Sequence, residues 1–203
     1  RDYLSSGSLG PHKQVKNWSF FFFCLVVATS CIFVFKQIEK ELARLTNTPE
    51  VVVFDSRFGY EPDEAFAILH SWGQRGRYIY LLLEFLDHFF FCFGYRGVFL
   101  VLLNRAADII HARMPTFSLV ATALPMLILA VVWIDYVENC FQVLMTLLLP
   151  TSSPDSTWRN VATLSSFANM GKWLAIRALL AGMAVEFPAA LALSALSPRA
   201  RKD

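Results

Sequence analysis

Four long apolar runs divide the chain, and a short or polar segment separates each run from the next. The first run has 18 residues without a charge, and a helix of about 20 apolar residues is long enough to cross the hydrocarbon layer of a bilayer. The pattern therefore predicts spans at about residues 18–35, 78–103, 117–149 and 161–193. We predict an all-α polytopic membrane protein in which four transmembrane helices form a bundle, with residues 1–203 as a single membrane domain.

The only long polar stretch, residues 36–77, is predicted to be an extramembrane loop. It begins with a charged continuation of the first helix, followed by a short β-like run at residues 51–55. A short amphipathic helix is predicted at residues 62–72, with a proline in its first turn and acidic residues near its positive end. Gly73 can close this helix. We predict that this helix lies at the membrane interface, and packing on the transmembrane bundle is the alternative.

Composition agrees with a membrane protein. The chain is 56% hydrophobic and 17% charged, whereas soluble domains average roughly 45–50% apolar and about 25% charged residues. A net charge of +2, with no basic stripe among aromatic residues, argues against nucleic acid as a partner. The four cysteines all lie in apolar runs without a C-x-x-C pair, which predicts buried thiols that act as small hydrophobic side chains. They are Cys24, Cys31, Cys92 and Cys140.

Polar side chains recur within three of the spans at helical spacing. Ionisable groups inside a span are costly, and by default they face the bundle interior. At a rise of about 1.5 Å per residue, all three sets lie at a similar depth, on the non-cytosolic side of the bundle. The predicted polar core or ligand-binding set is Tyr80, Glu84, Asp87, His88, Asp135, Glu138, Asn139, Asn169 and Lys172, accompanied by Tyr95, Gln142 and Ser165.

The charge balance in this set is uneven. Four carboxyl groups share one lysine and one histidine, so at least one carboxyl is expected to hold a proton near neutral pH. A site for protons or a polar ligand has this signature, and so does a structural hydrogen-bond network between helices. His88 is the only histidine in a span, whereas a bis-histidine haem or a di-metal carboxylate site needs matched histidines. We therefore predict no metal and no other cofactor.

Two short motifs in the chain resemble a family of uncharacterised four-span membrane proteins. The first, Gly-Arg-x-x-Tyr, stands where the second span begins, and the second, Asp-x-x-Glu-Asn, lies inside the third span. The matching positions are Gly76, Arg77, Tyr80, Asp135, Glu138 and Asn139. The resemblance covers about residues 58–180, and it implies the four-span fold but no activity.

Three functions remain open. In the first, the acidic core binds or transports an amphiphilic small molecule or a proton, with the helix at residues 62–72 as a lid. In the second, the protein is an accessory or structural subunit of a larger membrane complex, and the Phe-rich first span need not pack with the others. In the third, it is a membrane-embedded acid–base enzyme of isomerase or hydrolase type that uses paired carboxylates and His88. The expected partners are the lipid bilayer and either an amphiphile or other membrane subunits.

Charge counting predicts the orientation of the four spans, because short cytoplasmic segments carry an excess of Lys and Arg. The two termini and the link at residues 104–115 together hold eight basic and three acidic residues. The opposite side holds seven basic and eight acidic residues. Both termini are therefore expected to face the cytosol, or the matrix if the protein is mitochondrial.

This orientation predicts that the turn around Asp155 and the C-terminal tail lie on opposite sides of the membrane. A membrane-impermeant thiol reagent applied only to the non-cytosolic face should label Asp155→Cys and should leave Lys202→Cys unlabelled until the membrane is opened. Labelling of both variants from the same side would contradict the predicted orientation.

Overall fold

A computed structural model of the protein describes residues 17–48, 51 and 53–195. The charged N-terminal segment and tail, on which the predicted orientation partly depends, lie outside the described residues. Four helical segments are long and apolar enough to cross a membrane, which confirms the all-α polytopic fold. The helices are α1 (Trp18–Thr46), α2 (Pro62–Ser71), α3 (Gly73–Leu86), α4 (Cys92–Arg113), α5 (Ser118–Leu147) and α6 (Ser156–Ala195).

A π-helical turn, Asp87–Phe91, joins α3 to α4, so that the second span is one continuous helix from Gly73 to Arg113. Short 3₁₀ turns occupy Phe54–Ser56 and Pro115–Phe117. The first, second and fourth spans run beyond the apolar stretches that predicted them, whereas α5 lies within its stretch. In α1, exposed ion pairs from Lys36 to Glu39 and from Arg44 to Glu41 accompany the extension, because residues three apart are neighbours on a helix surface.

The first helix packs against α4 through small side chains on both helices. A Cβ atom added at Gly94 would lie 2.9 Å from the backbone nitrogen of Ala28, and one added at Gly97 would lie 2.3 Å from the Cys24 sulfur. Small residues let helix backbones approach closely in a membrane. The idea that the first span need not pack with the others is therefore wrong.

The expected β-like run at residues 51–55 is also wrong, since the described residues include no strand and Phe54–Ser56 form a 3₁₀ turn. Side chains of α6 satisfy the turn's carbonyl groups. Asn169 donates to the Phe54 oxygen at 2.8 Å, and the Trp173 indole donates to the Asp55 oxygen at 3.1 Å. With its carbonyls bonded to side chains, this segment does not need a partner strand.

The short amphipathic helix is present as α2, which is one residue shorter than predicted, and it packs on the bundle. Ala65 and Leu69 on its inner face are fully buried. The exposed face forms an ion pair between Asp63 and Arg159, at the start of α6, with a shortest N–O distance of 2.6 Å. Gly73 follows with φ +60°, a left-handed conformation that favours glycine. It thereby separates α2 from α3.

The close contact between α1 and α4 predicts a measurable cost when a methyl group is added. Gly94→Ala should lower stability by about 1–3 kcal/mol, the usual cost of overpacking, because its new Cβ meets backbone atoms of Ala28. The measurement is the unfolding midpoint of the purified protein in detergent.

Gly171→Ala is the matched control, since a Cβ there meets only the Ile134 side chain, at 3.9 Å. This variant should be as stable as the wild type or slightly more so, because alanine favours a helix. Equal stability of the two variants would contradict the packing of α1 on α4.

Candidate functional site

The predicted polar side chains meet in the half of the bundle that lies beneath the loop carrying the 3₁₀ turn Phe54–Ser56. Eight of the nine predicted residues are buried there, and His88 is only partly buried. Two further polar residues, Gln142 and Ser165, are fully buried beside them. The eight buried residues of the predicted set are Tyr80, Glu84, Asp87, Asp135, Glu138, Asn139, Asn169 and Lys172.

Lys172 lies at the centre of the charged groups, with a side chain only 4% exposed. Its ammonium nitrogen lies 2.6 Å from Glu138 Oε2 and 3.3 Å from Asp135 Oδ1. It also forms an ion pair with Asp55. One cation from α6 thus holds two carboxylates of α5 and one from the loop, and we call this group the lysine cluster.

Asp55 was missed from the sequence because it lies in the polar loop, far from the spans along the chain. Its side chain is 32% exposed, so the lysine cluster extends to the surface of the bundle there. A signal was present, because Asp55 directly follows four apolar residues in an otherwise polar stretch. This signal could not identify Asp55 as part of the core, because the sequence does not show that the loop folds over α6.

Hydrogen bonds extend the lysine cluster to the second span. Gln142 donates to Glu138, and the Tyr80 hydroxyl donates to Gln142. The Asn139 amide donates to Asp87. These bonds satisfy groups from facing helices, as expected of a buried polar network.

The π-helical turn changes which residue of the second span faces Asp135. The Cys92 backbone N–H bonds to the Asp87 oxygen five residues earlier, and the Cys92 thiol then lies 3.2 Å from Asp135 Oδ2. The Tyr95 hydroxyl donates to the same oxygen at 2.7 Å. Cys92 is therefore a polar contact and not only a small hydrophobic side chain.

The remaining cysteines divide between buried and exposed positions. Cys24 and Cys31 are buried in the packing of α1, as predicted, but Cys140 is exposed. The prediction that all four thiols are buried is wrong for Cys140, because it lies on the exposed surface of α5 where α5 faces the second span.

His88 lies outside the hydrogen-bonded core. Its ring makes a tilted contact with Tyr136, with 4.6 Å between ring centroids, and an edge-on contact with Phe89, with 4.8 Å between centroids. The prediction put it on the same face as Glu84, but the π-helical turn begins one residue before it and alters the register. His88 therefore lies beside the core and not among its carboxylates.

A loop residue closes the core on the side of the 3₁₀ turn. The Tyr60 hydroxyl donates to Ser165 at 2.6 Å, and its backbone N–H donates to Ser166 at 2.9 Å. Burial raises the pKa of Tyr60 above its ordinary value, so its hydroxyl stays a neutral donor. Phe54 packs between Tyr60, Trp72 and Tyr80, with ring-centroid distances of 4.8–5.8 Å.

On the opposite side, the core meets an apolar layer made by α4, α5 and α6. Its buried members are Leu103, Ile128, Val131 and Leu179. Two arginines of the spans lie apart from the lysine cluster: Arg96 lies over Phe93 at 6.0 Å and Arg177 over Phe58 at 4.7 Å.

The residues of the Gly-Arg-x-x-Tyr motif lie in two different parts of the structure. A Cβ added at Gly76 would lie 2.7 Å from the Trp72 Cβ, and Arg77 donates to the Leu69 carbonyl at 3.3 Å. Gly76 and Arg77 therefore hold the junction between α2 and α3. Tyr80 alone reaches the core.

Two sets of side chains have ligand atoms within 4.8 Å of one another, the spacing that a metal ion needs. They are Asp87, Cys92 and Asp135, and Asp55, Asp135 and Glu138. In the second set the carboxylates already surround the Lys172 ammonium. In the first, donors from Asn139 and Tyr95 already occupy the carboxylates.

An apolar groove of about 630 Å³ runs between α5 and the second span. Its walls are Leu81, Phe85, Phe89, Val143, Leu144 and Leu147, and its polar lining residues include Glu84, His88 and Asn139. Several wall residues, including Phe85 and Leu144, are exposed on the surface of the bundle. We call this feature the α3–α5 groove, and it connects the lipid-facing surface with the polar core.

Two of the residues that line this groove have buried acceptor atoms without a hydrogen bond. Glu84 is 1% exposed, and neither of its carboxyl oxygens has a partner with hydrogen-bond geometry within the described part of the chain. The Tyr80 hydroxyl interacts with this carboxyl group but donates to Gln142. Asn139 is 2% exposed, and its carbonyl oxygen also lacks a hydrogen bond to any described residue. Such groups are uncommon in folded proteins and call for an explanation.

The fold and the core define an all-α polytopic membrane protein with a buried lysine–carboxylate cluster. No protein family, no curated protein and no solved structure matches the chain. The resemblance to the four-span family stays a prediction.

The lysine cluster predicts a strong effect of removing its cation. Lys172→Met should lower stability by about 3–5 kcal/mol, because buried charges lose their partner. Adding Asp135→Asn and Glu138→Gln should recover part of the loss. The measurement is the unfolding midpoint in detergent.

Lys36→Met is the control, since the Lys36 side chain is 64% exposed and pairs only with Glu39. It should change stability by less than about 1 kcal/mol. If Lys172→Met were as mild as this control, the lysine cluster would not hold the helices together.

Proposed function

We propose that the protein binds an amphiphilic small molecule that enters the α3–α5 groove from the bilayer. The polar end of the molecule lies at Glu84 and Asn139, and its apolar part lies along the groove. The observation that carries this proposal is the presence of buried, unpartnered acceptor oxygens on the lining of an apolar groove. Leaving a buried polar group without a partner costs about 1–3 kcal/mol, and a bound donor would recover that cost.

The core divides into two parts under this proposal. The lysine cluster and its hydrogen bonds hold the helices together, which is the structural hydrogen-bond network that the sequence left open. Glu84 and Asn139 meet the ligand, with His88 at the side of the groove. The polar core therefore contains two groups of residues. One group carries the ion pairs, and the other binds the ligand.

His88 has no hydrogen bond to a carboxylate among the described residues, and its ring contacts the ring of Tyr136. This arrangement favours binding over acid–base chemistry, because such chemistry would need His88 beside a carboxylate.

We also propose that the core and the α3–α5 groove lie in the non-cytosolic half of the membrane. This follows from the excess of basic residues in the terminal segments and in the link between α4 and α5.

The proposal predicts selective photolabelling of the groove. The protein is reconstituted in lipid nanodiscs with long-chain amphiphiles that carry a diazirine on the chain and differ only in head group, namely amine, alcohol, carboxylate and trimethylammonium. Mass spectrometry then locates the labelled peptides. With at least one probe, labelling should concentrate on the groove walls of α3 and α5.

Leu144→Trp should reduce this labelling several-fold, because a bulky ring would fill the groove. Leu174→Trp is the matched control, since Leu174 is an exposed leucine of α6 outside the groove lining. The proposal fails if every probe labels all lipid-facing helices evenly, or if Leu144→Trp leaves groove labelling unchanged.

A further inference from the structure

We infer that the polar end of the molecule bound in the α3–α5 groove is a protonated primary amine on an apolar chain. This inference rests on the proposed binding function and adds the chemical class of the ligand. Two independent observations lead to it: the kind of hydrogen-bonding atoms that line the groove, and the charge of the core behind them.

With Glu84 ionised, as it would be beside a bound cation, the oxygens of the groove-lining residues that lack a hydrogen bond among the described residues are all acceptors. They are the two carboxyl oxygens of Glu84 and the carbonyl oxygen of Asn139. One of the two N–H donors of the Asn139 amide already bonds to Asp87. A ligand must therefore bring donors. An ammonium carries three N–H donors and no acceptor, whereas an alcohol carries one donor and an ionised carboxylate carries none.

The charge of the core favours a cation. Five carboxyl groups lie in or beside it: Asp55, Glu84, Asp87, Asp135 and Glu138. Lys172 forms ion pairs with three of them, while Glu84 and Asp87 form no ion pair with any described residue. A second positive charge at Glu84 would complement the two carboxyls that Lys172 does not reach. A negatively charged head group would add to the excess of acid.

The same reasoning separates a primary amine from a quaternary one. A trimethylammonium head has the positive charge but no N–H, so it would leave the oxygens of Glu84 and Asn139 unbonded. Hydrogen bonds between charged groups are roughly twice as strong as neutral ones. Both the charge and the N–H groups are therefore needed for the best fit.

The apolar part of the ligand is matched by the groove walls. Leucine, valine and phenylalanine side chains of α3, the π-helical turn and α5 form them, and the volume of about 630 Å³ lies within the range of roughly 300–1,000 Å³ that is usual for small-molecule pockets. A single long alkyl chain that bears the amine can lie between the helices with its other end in the lipid. A long-chain amine of the bilayer is the class of molecule that this shape and chemistry fit.

The head-group comparison in the wild-type protein tests the inference without any variant. Groove labelling by the amine probe should exceed that by the alcohol, the carboxylate and the trimethylammonium probes by about tenfold, which is the ratio expected for about 1.4 kcal/mol of added binding free energy. Unlabelled long-chain amine should compete with the amine probe. The unlabelled alcohol should compete only at much higher concentration.

Glu84→Gln should abolish most of this preference, because it removes the charge and keeps the shape of the side chain. Glu186→Gln is the matched control, since Glu186 is another buried carboxyl without a hydrogen-bond partner among the described residues and does not line the groove. Unfolding midpoints of both variants show whether they are folded.

The outcomes separate the two claims. A tenfold amine preference that Glu84→Gln removes and Glu186→Gln retains supports the inference. Equal groove labelling by all four probes, or a preference for the carboxylate, the alcohol or the trimethylammonium head, overturns the amine while leaving groove binding intact. A folded Glu84→Gln that keeps the full preference also overturns it. Absence of groove labelling by every probe overturns the proposed function itself.

Discussion

The structure depends on one buried ammonium group. Lys172 of α6 meets Asp135 and Glu138 of α5 and Asp55 of the loop, so a single cation fixes two spans and the segment that covers them. Bringing charges out of water costs several kcal/mol per ion, and this arrangement offsets the cost only when all partners are in place. The position of Asp55 in the loop and the register of α5 against α6 both meet that requirement.

The spans and most of the buried core were predictable because each depends on local periodicity. Apolar runs long enough for a bilayer predicted four spans, and helical spacing predicted that Asp135, Glu138 and Asn139 share one face. The rest depends on tertiary structure. No local pattern marks the π-helical turn that brings Cys92 to Asp135, and Asp55 reaches Lys172 only because α6 side chains bond the backbone of the loop.

The α3–α5 groove could not be predicted for a related reason. Its walls, such as Phe85 and Leu144, have the same composition as any lipid-facing surface, so the sequence does not distinguish them. What marks the groove is that Glu84 and Asn139, which line it, have oxygens without a hydrogen bond to any described residue. A protein that used all its polar residues only to hold helices together would be expected to bond these as well.

The most direct test of this division of the core is an experimental density map of the protein in a lipid nanodisc, at a resolution that shows side chains. We expect Lys172 to contact the three carboxylates, and an elongated density in the α3–α5 groove to end within about 3 Å of Glu84 and Asn139, the length of a hydrogen bond. A closed groove, with Glu84 and Asn139 bonded to other residues of the chain, would contradict the account.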